Sequence, residues 1–120
     1  MVHSSNKFIG AIGERVALNY LLAKNYELIT TNYSTRFGEI DLIMRDKDIL
    51  VFVEVKTKKG LAFGTPEEMF TQNKLTRVKR MATVYLKGKE VKCRIDMVAV
   101  VLDEFNEPVS VKHYANVTQP

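Results

Sequence analysis

One cysteine and two histidines in 120 residues leave little room for thiol or zinc chemistry. Cys93 has no partner for an intramolecular disulfide, and with no histidine in a comparable motif it is not read as a catalytic thiol. It falls in a predicted strand, so a small core residue in a reducing compartment is expected. His3 and His113 form no zinc-ligand spacing with it. Long apolar runs are missing too. The first eight residues are polar and lack a signal-peptide core, and no stretch approaches the roughly 18 apolar residues of a membrane span. A cytoplasmic protein with no membrane partner is expected. Repeats, low-complexity tracts and linkers are also lacking. Residues 1–120 are therefore expected to form one domain, with 1–8 as a flexible N-terminus and a core large enough to need no disulfide.

Acidic charge is scarce along one stretch. Lys74, Arg77, Lys79, Arg80, Lys87, Lys89, Lys92 and Arg94 are opposed by Glu90 alone, within a chain of net charge +4. A one-signed segment of this kind attracts polyanions such as nucleic acid. A solvated helix face that aids solubility is the plainer reading of the stretch taken by itself.

What the chain does have is clear periodicity. Residues 10–25 read as a helix with Ala17, Leu18 and Leu21 on its apolar face, stopped at Asn25. Residues 27–33, 37–44 and 49–57 read as strands, the last two joined by a four-residue turn, Arg45 to Asp48. Thr65, Pro66 and Glu68 form a capping-box signature for a second helix. That helix is expected to bury Leu75, Val78, Ala82 and Tyr85 and to close at Gly88. Residues 94–102, and then 109–114, read as strands. The order predicts an α/β fold with an αβββαβ core, a mixed central sheet flanked by helices.

Within these strands stand charges that need an explanation. Asp41 lies in Gly38-Glu39-Ile40-Asp41-Leu42-Ile43, and Glu54-Val55-Lys56 ends the next apolar run. Desolvating unpaired charge costs several kcal/mol unless a partner compensates. Strand alternation puts Glu54 and Lys56 on one face. A four-residue turn sets Asp41 opposite Phe52, which makes Asp41 and Glu54 diagonal neighbours about 7–8 Å apart at Cα. The same register places Glu39 across from Glu54, a like-charge pair that a bulge or a bound cation would relieve. Glu14 lies beside the apolar face of the first helix, where Gly10 and Ala11 allow close approach to the sheet. It is explained either by a salt bridge or by metal coordination, and the company of Asp41 and Glu54 favours the metal. Magnesium (or manganese) suits such oxygen ligands. Lys56, beside a ligand, is placed to orient a water or to stabilise charge developing on a phosphodiester.

A helix, then Asp41 on the second strand, Glu54-x-Lys56 on the third and a basic helix resembles the restriction-endonuclease-like PD-(D/E)xK nuclease superfamily. An acid on the first helix is similar to its Holliday-junction-resolvase branch. Ile12-Gly13-Glu14, the Gly38–Ile43 block, Val51-Phe52-Val53-Glu54-Val55-Lys56-Thr57, Phe63-Gly64-Thr65-Pro66 and Lys74 more closely resemble the YraN-like family of uncharacterised bacterial proteins, over residues 9–114. The resemblance implies a restriction-endonuclease-like fold. It assigns metal binding to Asp41 and Glu54, with Glu14 as a further ligand, and catalysis to Lys56. It makes Lys74 a contact to the substrate or within the active site. Ile40 stands where the superfamily name has proline.

Three functions compete. The first is a magnesium-dependent endonuclease on branched or single-stranded DNA, with Asp41, Glu54 and Lys56 catalytic and Lys74, Arg77 and Arg80 holding phosphates. The second is a non-catalytic nucleic-acid-binding module on the same scaffold. The third is an interaction protein whose acids are structural ion pairs. A homodimer would suit a two-fold junction.

Overall fold

The computed structural model describes residues 2–62 and 64–118, with side chains from residue 6 onward; Met1 and Phe63 lie outside them. Helix α1 (Val2–Ala23) precedes strands β1 (Glu27–Thr35), β2 (Gly38–Asp46) and β3 (Ile49–Lys59). A 3-10 turn (Pro66–Met69), helix α2 (Gln72–Leu86) and strands β4 (Cys93–Leu102) and β5 (Pro108–Tyr114) follow. The five strands lie in sequence order. Only the β3–β4 pair is parallel; β1–β2, β2–β3 and β4–β5 are antiparallel. That makes a mixed sheet compatible with a restriction-endonuclease-like core, and α2 is the crossover that a parallel pair requires. Among the described residues no helix is long and apolar enough to cross a membrane.

The two helices cover opposite faces. Ala17 and Leu21 of α1 pack on Leu42, Met44, Val51, Val53, Val98 and Val100. Leu75, Val78, Met81 and Ala82 of α2 pack on Ile43, Leu50, Phe52 and Ile95. The central strand β3 is therefore buried on both sides from Leu50 to Val55, as its nearly unbroken apolar run requires.

Chain ends of the helices follow local chemistry. Asn25 adopts φ 69°, which lets Asn25 N–H donate to the Leu22 carbonyl and Tyr26 N–H to that of Leu21, at 3.0 and 3.1 Å. This is a Schellman stop with Asn in the left-handed position. The α1 N-terminus differs from expectation, since the helix already includes Val2, ahead of the apolar periodicity that begins at Gly10. The capping box differs as well. Glu68 does accept from Thr65 N–H at 3.3 Å, but it caps only the 3-10 turn. Helix α2 starts afresh at Thr71, whose hydroxyl accepts from Lys74 N–H.

Two further expectations are corrected. Cys93 is exposed, because β4 begins with it before the sheet is covered by helix. The β2–β3 turn has two residues rather than four. Asp46 pairs with Ile49 and Leu42 with Val53, and Lys47 takes a left-handed φ of 58°. The shift of two residues leaves the paired side chains, Leu42 to Asp46, on their predicted faces. It removes the expected juxtaposition of Glu39 and Glu54 and aligns Asp41 with Glu54 instead.

Close approach of α1 to the sheet depends on Gly13, not on Gly10 or Ala11. A Cβ on Gly13 would stand 1.8 Å from Thr57 Oγ1, whereas one on Gly10 would meet nothing within 4 Å. Glycine at position 13 is what allows helix and strand to touch at this point.

A buried ionic cluster, unforeseen in the sequence, ties β4 to three other elements. Asp96 is fully buried. Its carboxylate accepts from His113 Nε2 at 2.7 Å, Arg94 Nε at 3.0 Å and Asn116 N–H at 2.9 Å. Arg94 also donates to Asp46 at 3.1 Å and to the Tyr26 hydroxyl. Burial alone would push the Asp96 pKa up, but the bonds from His113, Arg94 and Asn116 outweigh it and hold the carboxyl below its ordinary value.

Two outcomes follow from this packing. Asp96→Ala should lose roughly 3 kcal/mol in urea denaturation, because it leaves half-buried Arg94 with only Asp46 for a carboxylate and removes the acceptor of His113 and Asn116 N–H. A folded-state pKa below the unfolded one stabilises above the unfolded value near 4, and that stability is lost as pH falls through the folded value. The acid limb of the wild-type stability curve should flatten in the variant. Gly13→Ala should cost about 1–3 kcal/mol of overpacking, and adding Thr57→Gly should restore part of it. An unchanged urea midpoint in Gly13→Ala would refute the contact.

Candidate active site

Backbone pairing of β2 with β3 runs from Asp46↔Ile49 to Leu42↔Val53 and stops there. One residue further, Asp41 Oδ2 accepts from Val55 N–H at 2.8 Å. A side-chain oxygen thus takes the hydrogen that a strand carbonyl would otherwise receive. The alternation of β2 also breaks at this residue. Ile40 packs on the α2 side while Leu42 packs on the α1 side, although residues two apart share a face in a regular strand. Asp41 sits at the turn-over point and reaches toward β3.

Glu54 is buried, only 7% exposed, and its Oε2 lies 3.3 Å from Lys56 Nζ. The strand period puts both on the same face, as the sequence predicts. Asp41 comes against Glu54. Burial first, then contact with the Glu54 carboxyl and its charge, raise the Asp41 pKa to about 9, against the lowering effect of Val55 N–H. The charge of Glu14 adds a smaller push in the same direction. Two carboxyls in one desolvated place cannot both ionise without a cation.

A second crowding, of opposite sign, adjoins the first. Lys74 in the first turn of α2 comes up to Lys56, whose ammonium, followed by burial, lowers the Lys74 pKa. Glu54 and Arg77 also act on Lys74, in opposite directions. Arg77 and Arg80 line a neighbouring cleft of about 460 Å³ with Phe37, Asn73 and Thr76. Of the residues expected to hold phosphates, Lys74 reaches the carboxylate pair, and Arg77 and Arg80 continue away from it along α2.

Glu14 stands to one side. Its Oε1 accepts from Asn32 Nδ2 at 3.0 Å, and the same amide donates to Glu39 Oε1 at 3.2 Å. Glu14 and Lys56 line a common cleft of about 620 Å³ between α1 and the end of β3. Among the described residues no group of three histidine, cysteine, aspartate or glutamate side chains is gathered to hold a metal ion. The donor set that the fold does assemble is the Asp41–Glu54 pair. Magnesium is commonly held by one or two carboxylates with several retained waters, so this pair fits it, with Glu14 outside the immediate set.

Sequence reasoning missed Asn32, the link between Glu14 and Glu39. A signal was present. Asparagine is disfavoured inside a strand and tolerates left-handed φ, and Asn32 sits within β1 at φ 49°. The backbone role of Val55 carried no signal of its own.

Comparison with other proteins places this arrangement among relatives. Residues 13–100 match the uncharacterised protein family UPF0102. A UPF0102 protein of Dictyoglomus turgidum is 36% identical over 93% of this chain and 98% of its own length. One of Clostridium botulinum is 35% identical over 98% and 99%. The match spans the α1 glycine, the Asp41 and Glu54-x-Lys56 strands, α2 and most of β4, and the chain belongs to the UPF0102 family.

Proposed function

We propose that this protein is a metal-dependent endonuclease acting on DNA phosphodiesters, branched or single-stranded DNA being the expected substrates. One observation carries the reading: a desolvated pair of carboxyls, Asp41 and Glu54, directly beside a crowded pair of ammonium groups, Lys56 and Lys74. The first pair cannot carry both of its charges unaided, and the second repels itself. A divalent cation would relieve the first and a phosphate the second, and a phosphodiester with its metal supplies both charges at once.

Asp41 and Glu54 would hold magnesium or manganese, which supplies charge neutralisation at the scissile phosphate. Lys74 donates to phosphate oxygens and holds the strand against α2. Lys56, fixed by Glu54 at 3.3 Å, points an N–H donor at the position where an attacking water and the developing negative charge meet. Val55 N–H keeps Asp41 from swinging away. Arg77 and Arg80 contact the backbone without reading sequence. A cytoplasmic location accords with a DNA substrate and with one exposed, unpaired cysteine.

Glu14 favours a second reading. Its engagement by Asn32, outside the carboxylate pair, fits a scaffold that binds nucleic acid without cutting it. Such a module would lose affinity steeply with salt and would respond neither to magnesium nor to Lys56→Ala.

Purified protein with Mg²⁺ or Mn²⁺ should nick a panel of flapped, branched and single-stranded DNAs. Glu54→Gln and Lys56→Ala should each slow cleavage by about 10²-fold or more while keeping the wild-type circular dichroism. Metal-independent silence across the whole panel would sink the enzyme reading. Magnesium at about 100 times its Kd should stabilise the wild type by about 2.7 kcal/mol through mass action. Asp41→Asn should abolish that rise in Tm and, as a neutral side chain of the same shape as the protonated acid, melt no lower than the metal-free wild type.

A further inference from the structure

The far end of the sheet carries a second basic cleft, of about 710 Å³, that the catalytic reading does not use. Arg45 and Lys47 line it from the β2–β3 turn, and Lys87, Lys89 and Lys92 from the segment after α2. Of these five cations only Lys92 has an ion-pair partner among the described residues, Asp48 at 3.4 Å, and both of those side chains are more than 70% exposed. The other four cations are exposed and unpaired.

Its floor is aromatic. Tyr33 and Tyr85 line it, both half-buried, with ring centroids 5.2 Å apart and planes at 89°. Phe52 backs Tyr85 edge-on at 5.9 Å, so the rings are fixed before any ligand arrives. The lysine-bearing segment is held as well. Leu50 N–H donates to the Lys92 carbonyl at 2.9 Å, and Lys89 N–H to that of Leu86 at 2.9 Å. Rigid rings beneath a rim of free cations match the way proteins hold single-stranded nucleic acid, where bases lie on aromatic faces and phosphates on the rim. A duplex keeps its bases stacked and has no free face to offer such a floor.

Helix α2 joins this cleft to the catalytic end. It carries Lys74 in its first turn beside Lys56 and Arg77 and Arg80 along its length, and Lys87 caps its far end. A helical rise of 1.5 Å per residue puts Lys74 and Lys87 about 20 Å apart. We propose that the cleft lined by Tyr33, Tyr85, Arg45, Lys47, Lys87 and Lys89 anchors a single-stranded nucleic-acid segment whose other end lies at Lys74. This deepens the nucleic-acid reading above and rests on it, but it does not require cleavage.

Anisotropy of fluorescent oligothymidylates with the full-length protein in EDTA tests it apart from catalysis. Wild type should bind a strand of about 20 nucleotides at least 10-fold more tightly than one of about 5. Lys87→Glu/Lys89→Glu should remove that gain and leave the short strand unaffected. Lys47→Glu, from the opposite wall, should do the same in part. Neutral replacement, Lys87→Gln/Lys89→Gln, should reduce the salt slope by about 0.7 for each phosphate that is no longer neutralised. The anchor is refuted if the charge-reversed variants keep the length dependence. It is equally refuted if they weaken a duplex of the same length as much as the strand, or if the cleft cations govern binding to phosphatidylglycerol vesicles while oligothymidylate does not bind. Cleavage failing while length-dependent binding persists would overturn the endonuclease and leave the anchor standing.

Discussion

The bond from Val55 N–H to the Asp41 carboxylate decides how the rest of the site is built. A β2 carbonyl at that point would have extended the sheet and left Asp41 on one of its faces. Because the carboxylate takes the hydrogen instead, β2 leaves the ladder after Leu42 and the acid is held at the parting of two strands. Glu54, on the strand that donates the bond, is then beside it without any loop to position either group. Both acids adjoin the buried stretches of β2 and β3, where packing fixes the backbone that carries them.

The protein holds two concentrations of charge, and their contrast is instructive. Around Asp96 each charge has its opposite. Arg94, His113 and a backbone N–H satisfy the acid, and Asp46 takes the remaining arm of the arginine. Around Asp41 the acids face each other and the lysines face each other, with the Glu54–Lys56 contact as the one direct ion pair between the two sets. Both places are desolvated, so the difference is not one of exposure. The first cluster is complete within the chain and stabilises it. The second leaves like groups crowded against each other within the chain, the kind of perturbed grouping that is common at functional sites.

Much of this was legible from residue patterns. Apolar periodicity located all five strands and both helices, and period-two alternation put Glu54 and Lys56 on one face. Leu42, Ile43 and Met44 stayed on their predicted faces even though the turn was two residues shorter than expected, because an even shift preserves sidedness, whereas the break at Asp41 was not foreseen. What escaped were contacts that no local pattern encodes. Asp96 reads as one polar residue in an apolar strand, and its partners Arg94, Tyr26 and His113 are spread over most of the chain. Gly13 looks no different from Gly10 until Thr57 is seen against it. Cys93 looks like core by composition, yet the helices do not reach the start of β4.

The spread of the Asp96 partners has a consequence for how the chain matures. A polypeptide emerges from its N-terminal end, and Asp96 is made well before His113 and Asn116, two of the residues whose donors it accepts. Val117 N–H closes the same region on the Ile95 carbonyl. Until those residues are in place, β4 would have to bury an acid without all of its donors, a costly step in the sheet centre. Residues 113–117 therefore act as a latch: the buried acid of β4 has its full set of donors only once they are in place.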